Sequence, residues 1–343
     1  MLEHYVYIIG LAASFMVAFS LGANDFANPT DCAVGAGVID FNKALLLFSA
    51  FVFIGSLIQG RFVIKTLGGG VVPEIELIGA VSAVLATFTW VTIATLLGMP
   101  ISTTHSATAG VLGVGLAYAA VGKIAINDIN WGNLLNIVLS WITSPLASIA
   151  LAACTYIALR NLLAKLRDDS RSWTILKASL IASLAFSAYS FGANDVANAT
   201  GAYLFVTKKY LGVPAGEAML FLSAIGSLGI ITGATVLGRR VLETTAYKIT
   251  KIDVVSGLAA ELSNALVVWL FTTVPYMLFG YGIPISTTYS TVASIIGVGI
   301  AKKRSFSEVN WRTVLKIVTS WVTTLPAVVL LSITIYLILT RLI

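Results

Sequence analysis

Gly22-Ala23-Asn24-Asp25-Phe26-Ala27-Asn28 and Gly192-Ala193-Asn194-Asp195-Val196-Ala197-Asn198 are one motif written twice. A second pair accompanies them: Pro100-Ile101-Ser102-Thr103-Thr104-His105-Ser106 returns as Pro284-Ile285-Ser286-Thr287-Thr288-Tyr289-Ser290. Further on, Asn130-Trp131 and Ser140-Trp141 return as Asn310-Trp311 and Ser320-Trp321, each set followed by a proline, Pro145 or Pro326. Landmarks that recur in one order mark a duplicated chain. The two copies cover residues 1–165 and 178–343, joined by a short basic linker over 166–177.

The medium follows from composition. Hydrophobic residues make up 58% of the chain and charged ones 10%, with a mean hydropathy of +0.93. A soluble domain has roughly 25% charged residues, so this chain cannot cover a water-facing surface. Each half divides into five apolar segments: 4–39, 43–67, 77–99, 101–122 and 131–159, then 178–206, 217–237, 255–279, 284–301 and 312–340. A helix crosses a bilayer in about 20 residues, and the strand alternation of a membrane barrel is absent. The fold class is an all-α polytopic membrane protein. An odd number of segments per half makes the second copy enter from the opposite side, which gives two inverted-topology repeats. The run 4–39 is too long for one untilted helix and predicts a broken one. The segments after the two proline motifs either cross or fold back as re-entrant hairpins.

Charge sets the orientation. Met1-Leu2-Glu3-His4 lacks the basic start of a signal peptide, so the first segment is expected to stay as a span. With the N-terminus outside, fourteen lysines and arginines fall in inward loops and six in outward ones, the bias of the positive-inside rule. Both termini are therefore expected outside a cell (plasma) membrane. The net charge of +6 belongs to those loops and implies no nucleic-acid partner; the lipid bilayer is the partner. Cys32 and Cys154 imply no disulfide framework.

The motifs carry the chemistry. An aspartate at mid-membrane costs about 2.5–3.5 kcal/mol on insertion scales, so Asp25 and Asp195 need partners. Gly22 and Gly192, with Pro29, are expected to break their helices and expose carbonyl groups there. Carboxylate, amide and carbonyl oxygens in one place suit a hard cation; the plain alternative is a polar contact between helices. Proline followed by hydroxyl residues marks a helix N-terminus, whose free N–H groups and dipole bind anions without a basic side chain. Inverted symmetry brings all four motifs to one midplane site.

In this order and number the motifs resemble those of the inorganic phosphate transporter (PiT) family of symporters, over essentially the whole chain. The resemblance implies phosphate as substrate, Na+ or H+ as the coupling ion, and a central site between inverted repeats. Phosphate would take Ser102, Thr103, Thr104, Ser286, Thr287, Thr288, Asn28 and Asn198. Sodium, a co-substrate with no further cofactor, would take Asn24, Asp25, Asn194 and Asp195. Phe26 and Pro29 depart from the family motif, Tyr289 replaces the second histidine, and Phe51–Ser56 lacks the glutamate many relatives carry there. The large hydrophilic central loop of some relatives is missing too. A homodimer is left open.

The remaining polar residues divide. Glu261, unmatched in the first half, reads as an additional ion ligand or gate, or as a hydrogen bond between helices. His105 reads as a satisfied hydrogen-bonder or a proton carrier. Asp31 is expected to face water near a helix end, the four tryptophans to anchor interfaces and pack, and Gly68–Gly70 to form a hinge or loop. The predicted function is Na+-coupled phosphate uptake by alternating access. The alternative on the same fold is H+-coupled transport of phosphate, metal-phosphate or sulfate. No nucleophile–base pair or HExxH-type metal motif supports an enzyme.

Overall fold

The computed structural model describes residues 2–98, 101–164, 170–239, 242, 251–303 and 310–342. In the first half α1 (Leu2–Asp25) stops just short of Pro29, and a short α2 (Asp31–Gly35) follows. The Asp40 carboxylate accepts the Lys43 N–H at 3.0 Å and starts α3 (Phe41–Gln59), which bends at Gly60 into α4 (Arg61–Leu67). Then come α5 (Leu77–Leu96), α6 (Thr103–Ala120) and α7 (Trp131–Leu163). The second half holds α8 (Ser170–Thr200), α9 (Leu204–Leu211), α10 (Ala215–Leu237), α11 (Val254–Phe279), α12 (Thr287–Lys303) and α13 (Trp311–Leu342). The described part of the expected linker, 170–177, is the start of α8. Lys165, Arg167, Arg240, Lys248 and Arg304, read as inward charges, lie outside the described residues.

Among the described residues eight helices are long and apolar enough to cross a membrane: α1, α3, α5, α7, α8 with α9, α10, α11 and α13. The helices that follow the proline motifs, α6 and α12, are not among them. Each pairs instead with the helix before it. Lys123 Nζ lies 2.7 Å from Glu76 Oε2 and ties the feet of the α5–α6 hairpin; Lys302 Nζ lies 2.6 Å from Asp253 Oδ2 and ties those of α11–α12. Helix α5 ends with Gly98 at φ 65° and α11 with Gly280 at φ 76°, left-handed backbone that glycine adopts without steric cost. The feet stand at opposite ends of α7. Near its start Asn133 Nδ2 donates to the Gly70 carbonyl at 2.7 Å, and near its end Tyr156 and Arg160 line one cavity with Ala301 and Lys302. Thirty-three helical residues span about 50 Å. The hairpins therefore enter from opposite ends, and their tips meet. The Thr104 hydroxyl donates to the Ile285 carbonyl at 2.8 Å, and that of Thr288 to the Ile101 carbonyl at 3.0 Å. This is the re-entrant arrangement.

The inverted repeat is visible in the packing. Helix α1 lies on α5 and α10, as α8 lies on α11 and α3; α7 lies on α11 and α12, as α13 lies on α5 and α6. Helices of one half thus pack on those of the other. Gly22 and Gly192 have a different role from the expected one. Neither breaks a helix: α1 continues past Gly22 to Asp25, and α8 runs straight through Gly192 to Thr200. Their missing side chains let helices touch. A Cβ on Gly22 would lie 1.9 Å from the Ile230 carbonyl oxygen, and one on Gly192 2.3 Å from that of Val52. The break follows Asp25 in the first copy only, where Pro29 stands. Gly68 and Gly70 are packed against neighbouring atoms, and only Gly69 of that run has open space around it.

Two expectations follow. Gly22→Ala and Gly192→Ala push a methyl into backbone, and overpacking of this kind costs about 1–3 kcal/mol. Gly216→Ala in α10, with nothing within 4 Å of its Cβ position, stabilises or is neutral, since alanine favours a helix by about 1 kcal/mol. Thermal unfolding in detergent checks the contrast. Each tie needs both of its charges, and one partner of each has a shifted pKa. The Glu76 hydrogen bond raises the Lys123 pKa, so the stability linked to the lysine's proton is present below about pH 10.4 and lost as pH rises through the higher folded value. Burial pushes Asp253 up, but the Lys302 and Ser256 hydrogen bonds outweigh it and hold its pKa low. The stability linked to the Asp253 charge is present above about pH 3.9 and lost as pH falls through the lower folded value. Amide exchange at both feet, corrected for intrinsic rate, stays flat between those limits.

Candidate functional site

Helix α1 ends at Asp25 and α8 carries Asp195 in its last turns, so each delivers its carboxylate to the level where the hairpin tips meet. Asp25 Oδ2 accepts the Thr103 hydroxyl at 2.7 Å, and Oδ1 lies 3.2 Å from that of Thr288. Asp195 Oδ1 accepts from Asn198 Nδ2 at 2.8 Å and from the Thr287 hydroxyl at 3.3 Å. Asn28 Nδ2 lies 3.1 Å from both Thr287 Oγ1 and Thr288 Oγ1; Asn198 Nδ2 lies 3.0 Å from Thr104 Oγ1 and 3.4 Å from Thr103 Oγ1. Each asparagine holds the hydroxyl pair of the other half. All these side chains are buried.

Asn24 and Asn194 do something else. Asn24 Nδ2 donates to Thr95 Oγ1 at 3.1 Å while its Oδ1 accepts the Ile101 N–H at 3.3 Å. Asn194 Nδ2 donates to Thr272 Oγ1 at 2.7 Å and to the Ile283 carbonyl at 3.1 Å, and its Oδ1 accepts the Ile285 N–H at 3.3 Å. Each amide satisfies backbone at a hairpin turn that water does not reach. Ser102 and Ser286 are N-caps, accepting the N–H groups of His105 and Tyr289 at 3.2 Å. The open first turns of α6 and α12, with their positive dipole ends, therefore border the two aspartates.

The charge of the site is one-sided. Among the described residues the ion pairs are three, Lys43–Asp40, Lys123–Glu76 and Lys302–Asp253, and none involves Asp25 or Asp195. Three buried oxygens have no donor: Asp195 Oδ2, Asn28 Oδ1 and Asn198 Oδ1. Each such acceptor costs about 1–3 kcal/mol if nothing meets it. Hydroxyls and helix ends offer donors to an anion, while these oxygens offer lone pairs to a cation.

Known proteins match this chain in sequence and fold. The sequence profile described as the phosphate transporter family matches residues 21–332. The chain belongs to the phosphate transporter family. A protein of Thermococcus kodakarensis named a phosphate permease is 30% identical, with 95% of each chain covered. One of Pyrococcus horikoshii with the same name is 29% identical over 93% of this chain and 94% of that one. A solved structure titled "The sodium-dependent phosphate transporter" superposes with a TM-score of 0.83 at 29% identity, covering 99% of this chain and all of that one. The protein is a multi-pass membrane transporter whose substrate is phosphate.

Several residues of the transporter stand apart from their expected places. His105 Nδ1 lies 3.0 Å from Tyr289 Oη, with its ring 3.6 Å from that of Trp141; Tyr289 stacks on Trp321 at 3.6 Å. Trp141 is thus buried packing beside the site, whereas Trp131 and Trp311 are 44% and 47% exposed at helix starts. Asp31, expected to face water, is fully buried with Cys32 beside Glu261, because α2 packs on α11. Thr95 and Thr272 were missed, because the turn after Thr272 is seven residues longer than that after Thr95 and hides their equivalence. Their partners give a test. Asn194→Ala leaves the Ile285 N–H and Ile283 carbonyl unmet, and the expected loss is about 1–3 kcal/mol, read as a lower midpoint in thermal unfolding; phosphate should also bind more weakly.

Proposed function

We propose that the transporter moves phosphate together with Na+, by alternating access around the site where both repeats meet. The observation that carries this reading is the set of orphaned oxygens next to two carboxylates with no basic side chain. Sodium ions take Asp25 and Asp195, with Asn28 Oδ1 and Asn198 Oδ1 completing the oxygen shell. Phosphate takes the hydroxyls of Thr103, Thr104, Thr287 and Thr288, with Ser102, Ser286 and the first-turn N–H groups of α6 and α12 around them. Asn24 and Asn194, read from the sequence as sodium ligands, hold the tips in register.

Coupling then lies in shared donors. The hydroxyls that phosphate needs are bonded to the carboxylates in this structure: Thr103 and Thr288 to Asp25, Thr287 to Asp195. A sodium ion that takes over a carboxylate frees its threonine to donate to phosphate. Without that ion, phosphate meets two negative charges, and unit charges about 6 Å apart repel by about 3 kcal/mol at an effective dielectric near 20. The site residues are buried, so loading and release require the helices around the tips to part. The basic bias of the loops supports a plasma-membrane orientation with both termini outside.

The test is labelled phosphate uptake into proteoliposomes with sodium and proton gradients imposed separately. Sodium alone should drive accumulation, and Asp25→Asn or Asp195→Asn should lower sodium-stimulated uptake about 10- to 100-fold, the equivalent of one charged hydrogen bond or ion contact. Uptake driven by protons alone, or sodium stimulation retained in both variants, overturns the sodium assignment.

A further inference from the structure

Outside the phosphate site the fold buries a second polar cluster. Asp31 and Cys32 on α2 and Glu261 in the first third of α11 each offer a ligand atom, and those atoms lie within 4.8 Å of one another. Both Glu261 oxygens lack a hydrogen-bond partner, and the residue is 1% exposed. One turn further along α11 stands Asn264, 3% exposed, whose Oδ1 is also without a partner. Its Nδ2 donates to Ser187 Oγ at 3.1 Å and reaches the Asn28 carbonyl at 3.5 Å. Among the described residues no lysine, arginine or histidine forms an ion pair here.

The repeat provides an internal control. Counting from the paired aspartates, Asp31 and Cys32 correspond to Gly201 and Ala202; counting from Thr95 and Thr272, Glu261 corresponds to Val84. Val84 and Ala202, again one residue from each half, line a common cleft with Ala83, Thr87, Ala197 and Asn198. The cluster is therefore no by-product of the inverted symmetry. Three ligand-bearing side chains have been placed at one of two equivalent positions, and the apolar alternative is seen at the other.

We propose that Asp31, Cys32 and Glu261, with Asn264 Oδ1 beside them, form a binding site for a divalent first-row transition ion such as Zn2+ or Co2+. Two carboxylates and a thiolate carry three negative charges, of which a divalent ion meets two and a monovalent ion only one. The thiol selects the metal class: sulfur is a good ligand for zinc-like ions and a poor one for sodium, magnesium or calcium. Binding displaces the Cys32 thiol proton to solvent, as for other thiolate ligands. Through Asn264 the ion would also bear on Asn28, one of the residues holding the tip hydroxyls. The site stands on its own geometry and does not depend on sodium coupling.

Cobalt titration of the purified full chain, with the exposed Cys154 replaced by serine throughout, tests it. One Co2+ per chain with a thiolate-to-cobalt charge-transfer band in the near ultraviolet is expected. Cys32→Ser, which keeps size and polarity, should abolish the band, and Glu261→Gln should weaken binding about 10- to 100-fold. Size exclusion and thermal unfolding confirm that each variant is folded; where Glu261→Gln is not, the Cys32→Ser comparison decides. Cobalt bound without a thiolate band, equal binding by the parent and Cys32→Ser, or a sodium titration that fills the site while cobalt does not, overturns the proposal.

Discussion

A backbone that turns inside a membrane protein must find partners for its N–H and C=O groups without water. Two such turns, at the tips of the α5–α6 and α11–α12 hairpins, shape the centre of this transporter. Asn24 and Asn194 each clamp one turn from the adjoining long helix, and Thr104 and Thr288 tie each turn to the carbonyl of the other. Once those four residues are fixed, the positions of Asp25, Asp195, Asn28 and Asn198 follow, because they lie within one turn of the clamping asparagines on the same segments. The helix contacts that support the tips are themselves close: α1 meets α10, and α8 meets α3, at glycines that admit no Cβ.

Much of this was legible in the sequence, for a physical reason. Polar residues in an apolar segment are costly, so a pair of motifs repeated intact declares a shared site. That reading found the aspartates, asparagines and hydroxyls that the structure gathers. It erred where a residue type has two uses. Glycine serves either a bend or a close approach, and the 36-residue run 4–39 suggested the bend; the Ile230 and Val52 carbonyls, which decide otherwise, are some 200 and 140 residues away. Asp31 read as a residue facing water because its partners, on α2 and α11, are brought together only by the fold. Span number was equally hidden. Both proline motifs precede apolar stretches of near-spanning length, and only the Glu76–Lys123 and Asp253–Lys302 ties show that each stretch returns to the side it came from.

The two halves are alike in architecture and unlike in chemistry. Pro29 ends α1 near Asp25, while α8 continues through the same motif to Thr200. His105 faces Tyr289 across the pseudo-symmetry, each backed by a tryptophan. Asp31, Cys32 and Glu261 are matched at the equivalent positions by Gly201, Ala202 and Val84. A transporter whose halves were identical would place the inward- and outward-facing states at equal energy. In the proposed alternating-access cycle such differences would set which state is favoured, since populations follow the difference in interaction free energy between states.

The tip hydroxyls connect that bias to the cargo. In this structure they are donors to carboxylates, and each of the pairs Thr103–Asp25, Thr288–Asp25 and Thr287–Asp195 joins a hairpin tip to a long helix. Phosphate at the tips must divert at least some of those donors, and sodium, in the coupling proposed above, must divert the acceptors. Either ion alone leaves one member of each pair buried without its partner, at a cost comparable to a lost charged hydrogen bond. Only joint occupancy satisfies both. In the proposed sodium-coupled cycle the same three contacts oppose single occupancy and are replaced together when both ions bind. That linkage needs no long-range pathway, because the donors and acceptors that it couples are already in contact.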